Sequence, residues 1–424
     1  MIQTKMDSTM QQLKLEFRKE QSQVEFQEKW NLLFTAYFGE KPQLSSSTFA
    51  NSTVMLTPEY NHQIIRLTSI LNKACTAIVL HYFQDERIRT YYQLDQELEA
   101  LLEKATNEPY NQGFYRPDFL YDQTNQAKIC EIGARYALNG WMISHYISLI
   151  NDELYASDNG LTFENPSLKN LIDDVYNELL PLGNVALVHD DEKGTEIYYL
   201  QDELAKRGLE LRSVKPQDLV LSNDSICVNG QPILQFILEM DREELKKIRP
   251  EVLDKLIEQK AYFNDIRSLI LIHDKRVLAV MFDAEIMRDY LSEDDYRFLQ
   301  QFLIPSFVIT DPKECETYIH TDQNLILKLN SGGRGIGAYI KNECTIEEWE
   351  KIIRLHWKEY LIQHVVDQKE FNDLENKRQI HLVGSLLCKN DQTYGSGLFR
   401  GSDELIVNVH QGRALIYPFQ LNKE

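Results

Sequence analysis

Arg116, Asp118, Asp122, Lys128 and Glu131 fall inside one twenty-residue stretch, FYRPDFLYDQTNQAKICEIG (114–133). Strand side chains alternate with a period of two, so Arg116, Asp118, Leu120 and Asp122 are expected on one face of a first strand. DQTNQ is rich in residues that accept turn geometry, and AKICEI returns as a second strand carrying Glu131. Two carboxylates and a guanidinium on neighbouring strands suit a divalent cation and the phosphates it accompanies. The same residues suit a surface hairpin with a charged outer face equally well.

Four further segments carry groups of this kind. In ILKLNSGGRGIGAYI (326–340), Lys328 precedes Gly332, Gly333, Gly335 and Gly337. Glycines let backbone N–H groups approach phosphate oxygens, and a neighbouring lysine adds a point charge. The segment lacks the GK[ST] of a Walker A loop, and a strand is expected after it, so it reads as a flap between two strands. The bland alternative is a hairpin loop with no ligand. In HDKRVLAVMFD (273–283), Lys275 stands where a strand is expected to give way to a helix, a place that can hold phosphate. YLIQHVVD (360–367) is an apolar strand interrupted by Gln363 and His364, and an amide there could read an adenine edge or be a satisfied core group. LVGSLLCKNDQTYGSGLFRGSD (382–403) leads to Arg400, whose guanidinium could clamp a carboxylate or a phosphate.

The elements that must position these groups follow from periodicity. Apolar spacing of three and four predicts helices in FRKEQSQVEFQEKWNLLFTAYF and NHQIIRLTSILNKACTAIVLHYF, giving a helical region over 1–110 interrupted by a polar loop at about 40–58. The hairpin and the helix ALNGWMISHYISLINDELY occupy 111–178. GNVALVHD, GTEIYYLQDELAKRG and LELRSVKPQDL read as strand, helix, strand, and ICVNGQPILQFIL as a hairpin, so 179–266 is expected to be Rossmann-like. No GxGxxG follows its first strand, so no dinucleotide is implied. Over 267–424, an apolar strand at SLILIH and a helix at RVLAVMFDAEIMRDYL precede strands and glycine loops.

The chain has 424 residues, 43% hydrophobic and 26% charged, ordinary values for a folded α/β or α+β protein of several domains. A formal charge of −20 argues against nucleic acid as a partner and leaves open attraction of a cationic substrate such as an amine. No uninterrupted apolar run approaches membrane-spanning length, and the first residues lack the pattern of a secretory signal. Six scattered cysteines form no CxxC pair and no metal-ligand spacing. A cytoplasmic protein without a membrane partner is expected, with self-association into a homodimer left open.

The order and content of these pieces resemble the circularly permuted ATP-grasp ligases, most closely the glutathionylspermidine synthase-type C–N ligases, over roughly 112–415. That family's RxDxxxD, turn and KxxExN are matched by Arg116, Asp118, Asp122, Lys128 and Glu131, with Gly133 standing where the family has asparagine. Lys275 matches the family's lysine before an apolar helix, Lys328 and GGRG its strand lysine and glycine loop, and Arg400 in GSGLFRGSD the arginine of its late GxGxRE. The resemblance implies ATP and Mg²⁺, with Asp118 and Glu131 as metal ligands. Lys275, Lys328, Gly332, Gly333, Gly335 and Gln363 would hold the nucleotide, and Arg116 and Arg400 would be catalytic. It also implies a circularly permuted ATP-grasp fold behind a Rossmann-like domain, and an ATP-dependent carboxylate–amine ligase working through an acyl phosphate. An inactive binding protein or a phosphotransferase on the same fold are the alternatives.

Overall fold

The charged hairpin forms as its alternation requires. In the computed structural model, strands Phe114–Tyr121 and Ala127–Gly133 pair antiparallel around a turn closed by Asp122. The Asp122 carboxylate accepts from Thr124 N at 2.9 Å and Gln126 N at 3.0 Å, while Asn125 takes a positive φ of 67°. The structure describes residues 13–16, 23–39, 45–50, 52–155, 166–190, 196–333, 337–373, 376–407, 409 and 414–421.

The hairpin is one edge of a seven-stranded sheet whose centre is the long strand Arg378–Lys389. That strand pairs antiparallel with Phe114–Tyr121 on one side and with Phe399–Ser402 on the other, so Asp118 faces Ser385 and Arg400 faces Val383. Helix Pro58–His81 packs under this sheet, burying Ile64, Leu67, Leu71, Ala74 and Ile78. Each such Leu or Ile contributes about 1.5–3 kcal/mol. Its length and the apolar composition of its longer part would suit a membrane span. Here the helix is a core element instead: Tyr60 bonds Tyr121 through their hydroxyls, and Tyr115 donates to the Thr68 carbonyl.

A second, four-stranded antiparallel sheet runs Ser306–Phe307, Tyr360–His364, Leu325–Leu329, Ala338–Ile340. A third sheet is parallel, with Val185–Val188 between Gln235–Leu238 and Leu211–Val214, and helix Ile197–Lys206 as the crossover. This is the strand–helix–strand unit read from the sequence. The NG turn is also present, with Asn229 at φ 51° and Gly230 at φ 75° between strands Ser225–Val228 and Gln231–Pro232. The fold is thus a mixed α/β one, with antiparallel sheets and many helices.

Three local expectations fail. The first 110 residues are not purely helical: Leu13–Glu16 pairs Thr53–Leu56, which is also joined in parallel by Phe419–Leu421. SLILIH is no strand, because Ser268–Ile272 is a buried turn of π-helix in which His273 N reaches back to Ser268 O at 2.9 Å. A short apolar run does not distinguish a buried strand from a buried helix. The helix expected over 276–291 breaks at Asp283, whose carboxylate caps a new helix by accepting from Glu285 N at 2.8 Å.

Candidate functional site

A bulge brings the two hairpin carboxylates together. The register passes from Asp118↔Glu131 to Phe119↔Ile129, so Cys130 is the extra residue. Bulges turn side chains and leave backbone groups outside the ladder. The Cys130 carbonyl accepts the Lys328 ammonium at 3.1 Å, which ties the large sheet to the four-stranded one. Burial pushes the Cys130 thiol up to about 12, so it is a packing group and not a nucleophile.

Asp118 is 1% exposed and held from both sides. Arg116 Nε donates to Oδ1 at 2.8 Å and Nη2 to Oδ2 at 3.0 Å, while Arg400 Nη2 reaches Oδ2 at 2.6 Å. Arg116 is fixed in turn by Nη1 donating to the Asn139 carbonyl at 2.7 Å. Directly beside it, Gly140 has φ +93°, and a Cβ there would lie 2.5 Å from Arg116 Nη1. Glycine is required at this position by both backbone and contact. The buried carboxylate of Glu196 then accepts from Gly140 N at 2.5 Å and Ile143 N at 3.0 Å, capping helix Trp141–Tyr155. Burial outweighs these bonds and raises its pKa.

Glu131 keeps 35% of its side chain open, and that surface faces the cleft. Burial alone would raise its pKa, but Lys275, Lys328, Arg400 and Arg116 together hold it below the ordinary carboxylate value. Lys275 lies 3.6 Å from it and donates to the Gly332 carbonyl at 2.7 Å. Lys328, its pKa lowered by burial, donates to Gln363 Oε1 at 2.8 Å. The Gln363 amide donates onward to Ser306 Oγ at 2.9 Å. Both ends of Gln363 are therefore engaged inside the protein, as in the second of the two readings its sequence left open, and it orients Lys328.

Two cavities open around these groups. One, with about 910 Å³ of empty space including its mouth, runs between the sheets past Asp118, Glu131, Lys275, Lys328, Gln363 and Arg400, with walls of Leu120, Ile326, Ile340 and Val365. The other, about 1430 Å³ on the same basis, extends over Arg116, Arg135, Trp141, Glu196 and His273. Glu131, Arg400, Gly332, Gly333 and Val407 line both. The structure therefore gathers Arg116, Asp118, Glu131, Lys275, Lys328, Gly332, Gly333, Gln363 and Arg400 into one cleft. Gly335 lies outside the described residues. Lys128 turns away to the Gln301 carbonyl, and Asp122 serves the turn.

Sequence reading missed Arg135, Glu196 and His273. Arg135 pairs with Asp241 at 2.6 Å and stacks on Tyr136. His273 accepts from Ala134 N on Nδ1 at 3.4 Å, which puts its proton on Nε2. Burial, then Arg135 and Lys275, hold its pKa well below the usual value, so it is a neutral donor. Its place two residues before Lys275 was the one available signal; lone residues such as Glu196 carry no motif.

The metal expectation is corrected by this geometry. Among the described residues, no three or more His, Cys, Asp or Glu side chains converge on a point that could hold an ion. Two guanidinium groups already satisfy Asp118, leaving Glu131 as a lone carboxylate beside an ammonium. Mg²⁺ wants six oxygens, and these residues do not fit a resident one.

In comparison with known proteins, a family model described as the AnkG N-terminal domain matches residues 67–271, just under half of the chain. No curated protein matches the chain. The family comparison thus replaces the resemblance to glutathionylspermidine synthase-type ATP-grasp ligases, which rested on short motifs in order: charged hairpins and lysines beside glycine loops arise wherever a sheet cleft gathers charge. The matched stretch contains Arg116, Asp118, Glu131, Arg135 and Glu196, and ends before Lys275, Lys328, Gln363 and Arg400.

Proposed function

We propose that the cleft is a two-substrate site in which a nucleoside triphosphate activates a carboxylate for attack by an amine. The observation that carries this reading is the junction of the two cavities at Glu131, Arg400, Gly332 and Gly333. A triphosphate lying between the sheets would present its chain to Lys275, Lys328, Gly332 and Gly333, and its terminal phosphate at that junction. Its charge would be met by these cations and by whatever counter-ion the nucleotide carries from solution. The second cavity offers guanidinium groups (Arg116, Arg135, Arg400) for a carboxylate and carboxylates (Glu131, Glu196) for an ammonium.

In the proposed reaction a substrate carboxylate oxygen attacks the terminal phosphorus, the bond to the β-phosphate oxygen breaks, and the diphosphate leaves. The amine nitrogen then attacks the acyl carbon, and phosphate departs with the proton that the amine releases. Arg400 and Lys275 stabilise the charge that develops at the junction. The test uses pooled ¹⁸O-labelled carboxylic acids with amines and ATP. One ¹⁸O appearing in released phosphate, together with an amide product, supports the reading. ATP binding without turnover over that pool would favour a non-catalytic binding protein, for which the double clamp on Asp118 is the specific structural argument.

A further inference from the structure

We infer that Gln368 selects the base of the nucleotide by accepting a hydrogen bond from an exocyclic amine, which makes adenine the preferred base. This rests on the nucleotide reading of the cleft. Gln368 lines the cavity between the sheets and is 7% exposed. Its Nε2 donates to the Leu405 carbonyl at 3.0 Å, and only a nitrogen can serve there, so the orientation of the amide is settled. The other end, Oε1, is buried and has no hydrogen-bond partner among the described residues. A buried acceptor left unmade is costly, and a donor arriving with a ligand relieves that cost.

The position also fits. Gln368 bridges Asp122, and Gln123 Nε2 donates to its carbonyl at 3.1 Å, so it is anchored at the turn end of the hairpin. Asp122 stands four positions beyond Asp118 at the charged end, about 13 Å at 3.3 Å per residue, comparable to the length of an extended nucleoside triphosphate. The walls beside it (Leu120, Val365, Val366, Leu405, Ile406) are apolar, as a flat heterocycle needs. An adenine 6-amino group would donate to Oε1. The 6-oxo group of hypoxanthine would set one acceptor against another.

The experiment is calorimetric titration of the full chain with ATP and with inosine triphosphate, repeated on Gln368→Met, which keeps the length of the side chain. Wild type is expected to bind ATP about 10- to 100-fold more tightly than inosine triphosphate, with the gap closing to less than about threefold in the variant. Equal affinity of wild type for the two nucleotides overturns the inference while leaving the nucleotide reading standing. A gap that persists in a folded Gln368→Met protein, checked by its melting curve, overturns the role of Gln368. Failure of wild type to bind either triphosphate overturns the nucleotide reading, and this inference with it.

Discussion

Gly140→Ala is a sharp probe of how the cleft is held. The new Cβ would stand 2.5 Å from Arg116 Nη1 and 2.9 Å from its Cδ, and the backbone sits at φ +93°. An L-residue held at such a positive φ costs on the order of 1–3 kcal/mol. Relieving the clash means moving Arg116, which leaves the buried Asp118 with one guanidinium partner where it had two, at about 1–3 kcal/mol more. Gly113 supplies the control: it has φ +70° but nothing within 4 Å of the place a Cβ would take, so Gly113→Ala carries the strain without the displacement. With about 2.1 cal/mol/K of unfolding entropy per residue, a 4 kcal/mol loss in this 424-residue chain lowers the melting temperature by about 4 °C.

The assay is differential scanning calorimetry of wild type, Gly113→Ala and Gly140→Ala, followed by ATP titration of each. Gly140→Ala is expected to melt below Gly113→Ala and to lose ATP affinity at least about fivefold, because freeing Arg116 also unsettles Arg400 on their shared carboxylate. In an Arg116→Ala background, Gly140→Ala should add only the strain. Equal melting of the two glycine variants, with ATP affinity unchanged in Gly140→Ala, would refute the clamp.

Other perturbations read other parts of the cleft. Lys328→Met should weaken ATP binding about tenfold or more while moving the melting temperature by less than about 3 °C, since losing two hydrogen bonds is offset by no longer burying a charge; unchanged titration curves would remove Lys328 from the site. Asp118→Asn leaves two guanidinium groups without their counter-charge and should cost about 3–5 kcal/mol in denaturant unfolding, and a cost under 1 kcal/mol would contradict the burial of that triad. Glu131 has a folded pKa below its unfolded value, so the unfolded chain binds the extra proton; its contribution is complete above about pH 4.5 and is lost as the pH falls through the folded pKa. Melting curves from pH 3 to 6 should therefore fall less steeply in Glu131→Gln than in wild type. Native-state alkylation at pH 7.5 should label Cys344 alone, since the other five thiols are buried, and rapid modification of Cys130 would contradict the bulge.

The hairpin was legible because its alternation and polar turn are strictly local, and Lys328 because a lysine on a strand before glycines is a local pattern too. What joins them was not. The bulge at Cys130 leaves no trace in the composition of AKICEIG, yet it sets Asp118 opposite Glu131 and offers Lys328 a carbonyl. Gln363 showed correctly as a polar interruption in an apolar strand, but its partner, Ser306, lies 57 residues away. SLILIH misled because apolarity records burial and not the backbone form that achieves it. The metal ligands misled because a carboxylate looks the same in sequence whether it faces an ion or two arginines.

The charges around Asp118 and Glu131 bear on that last ambiguity. The chain as a whole carries −20, and yet five cations (Arg116, Arg135, Lys275, Lys328, Arg400) line the two joined cavities. Asp118 and Glu131 cancel part of that charge, Asp241 pairs with Arg135, and the carboxyl of Glu196, its pKa raised by burial, sits at the edge of the second cavity. Against its burial, Glu131 is pulled below its ordinary pKa by Lys275, Lys328, Arg400 and Arg116. A resident divalent cation would add to a positive cleft, whereas a polyphosphate would balance it, and low-dielectric walls sharpen that preference. The acidic exterior repels anions at long range, so an anion that enters must be held by short contacts. Affinity for a triphosphate should then depend only weakly on salt compared with a basic surface site, and a drop of more than about a hundredfold between 50 and 200 mM salt, the range in which phosphate contacts on exposed lysines fail, would place the binding outside the cleft.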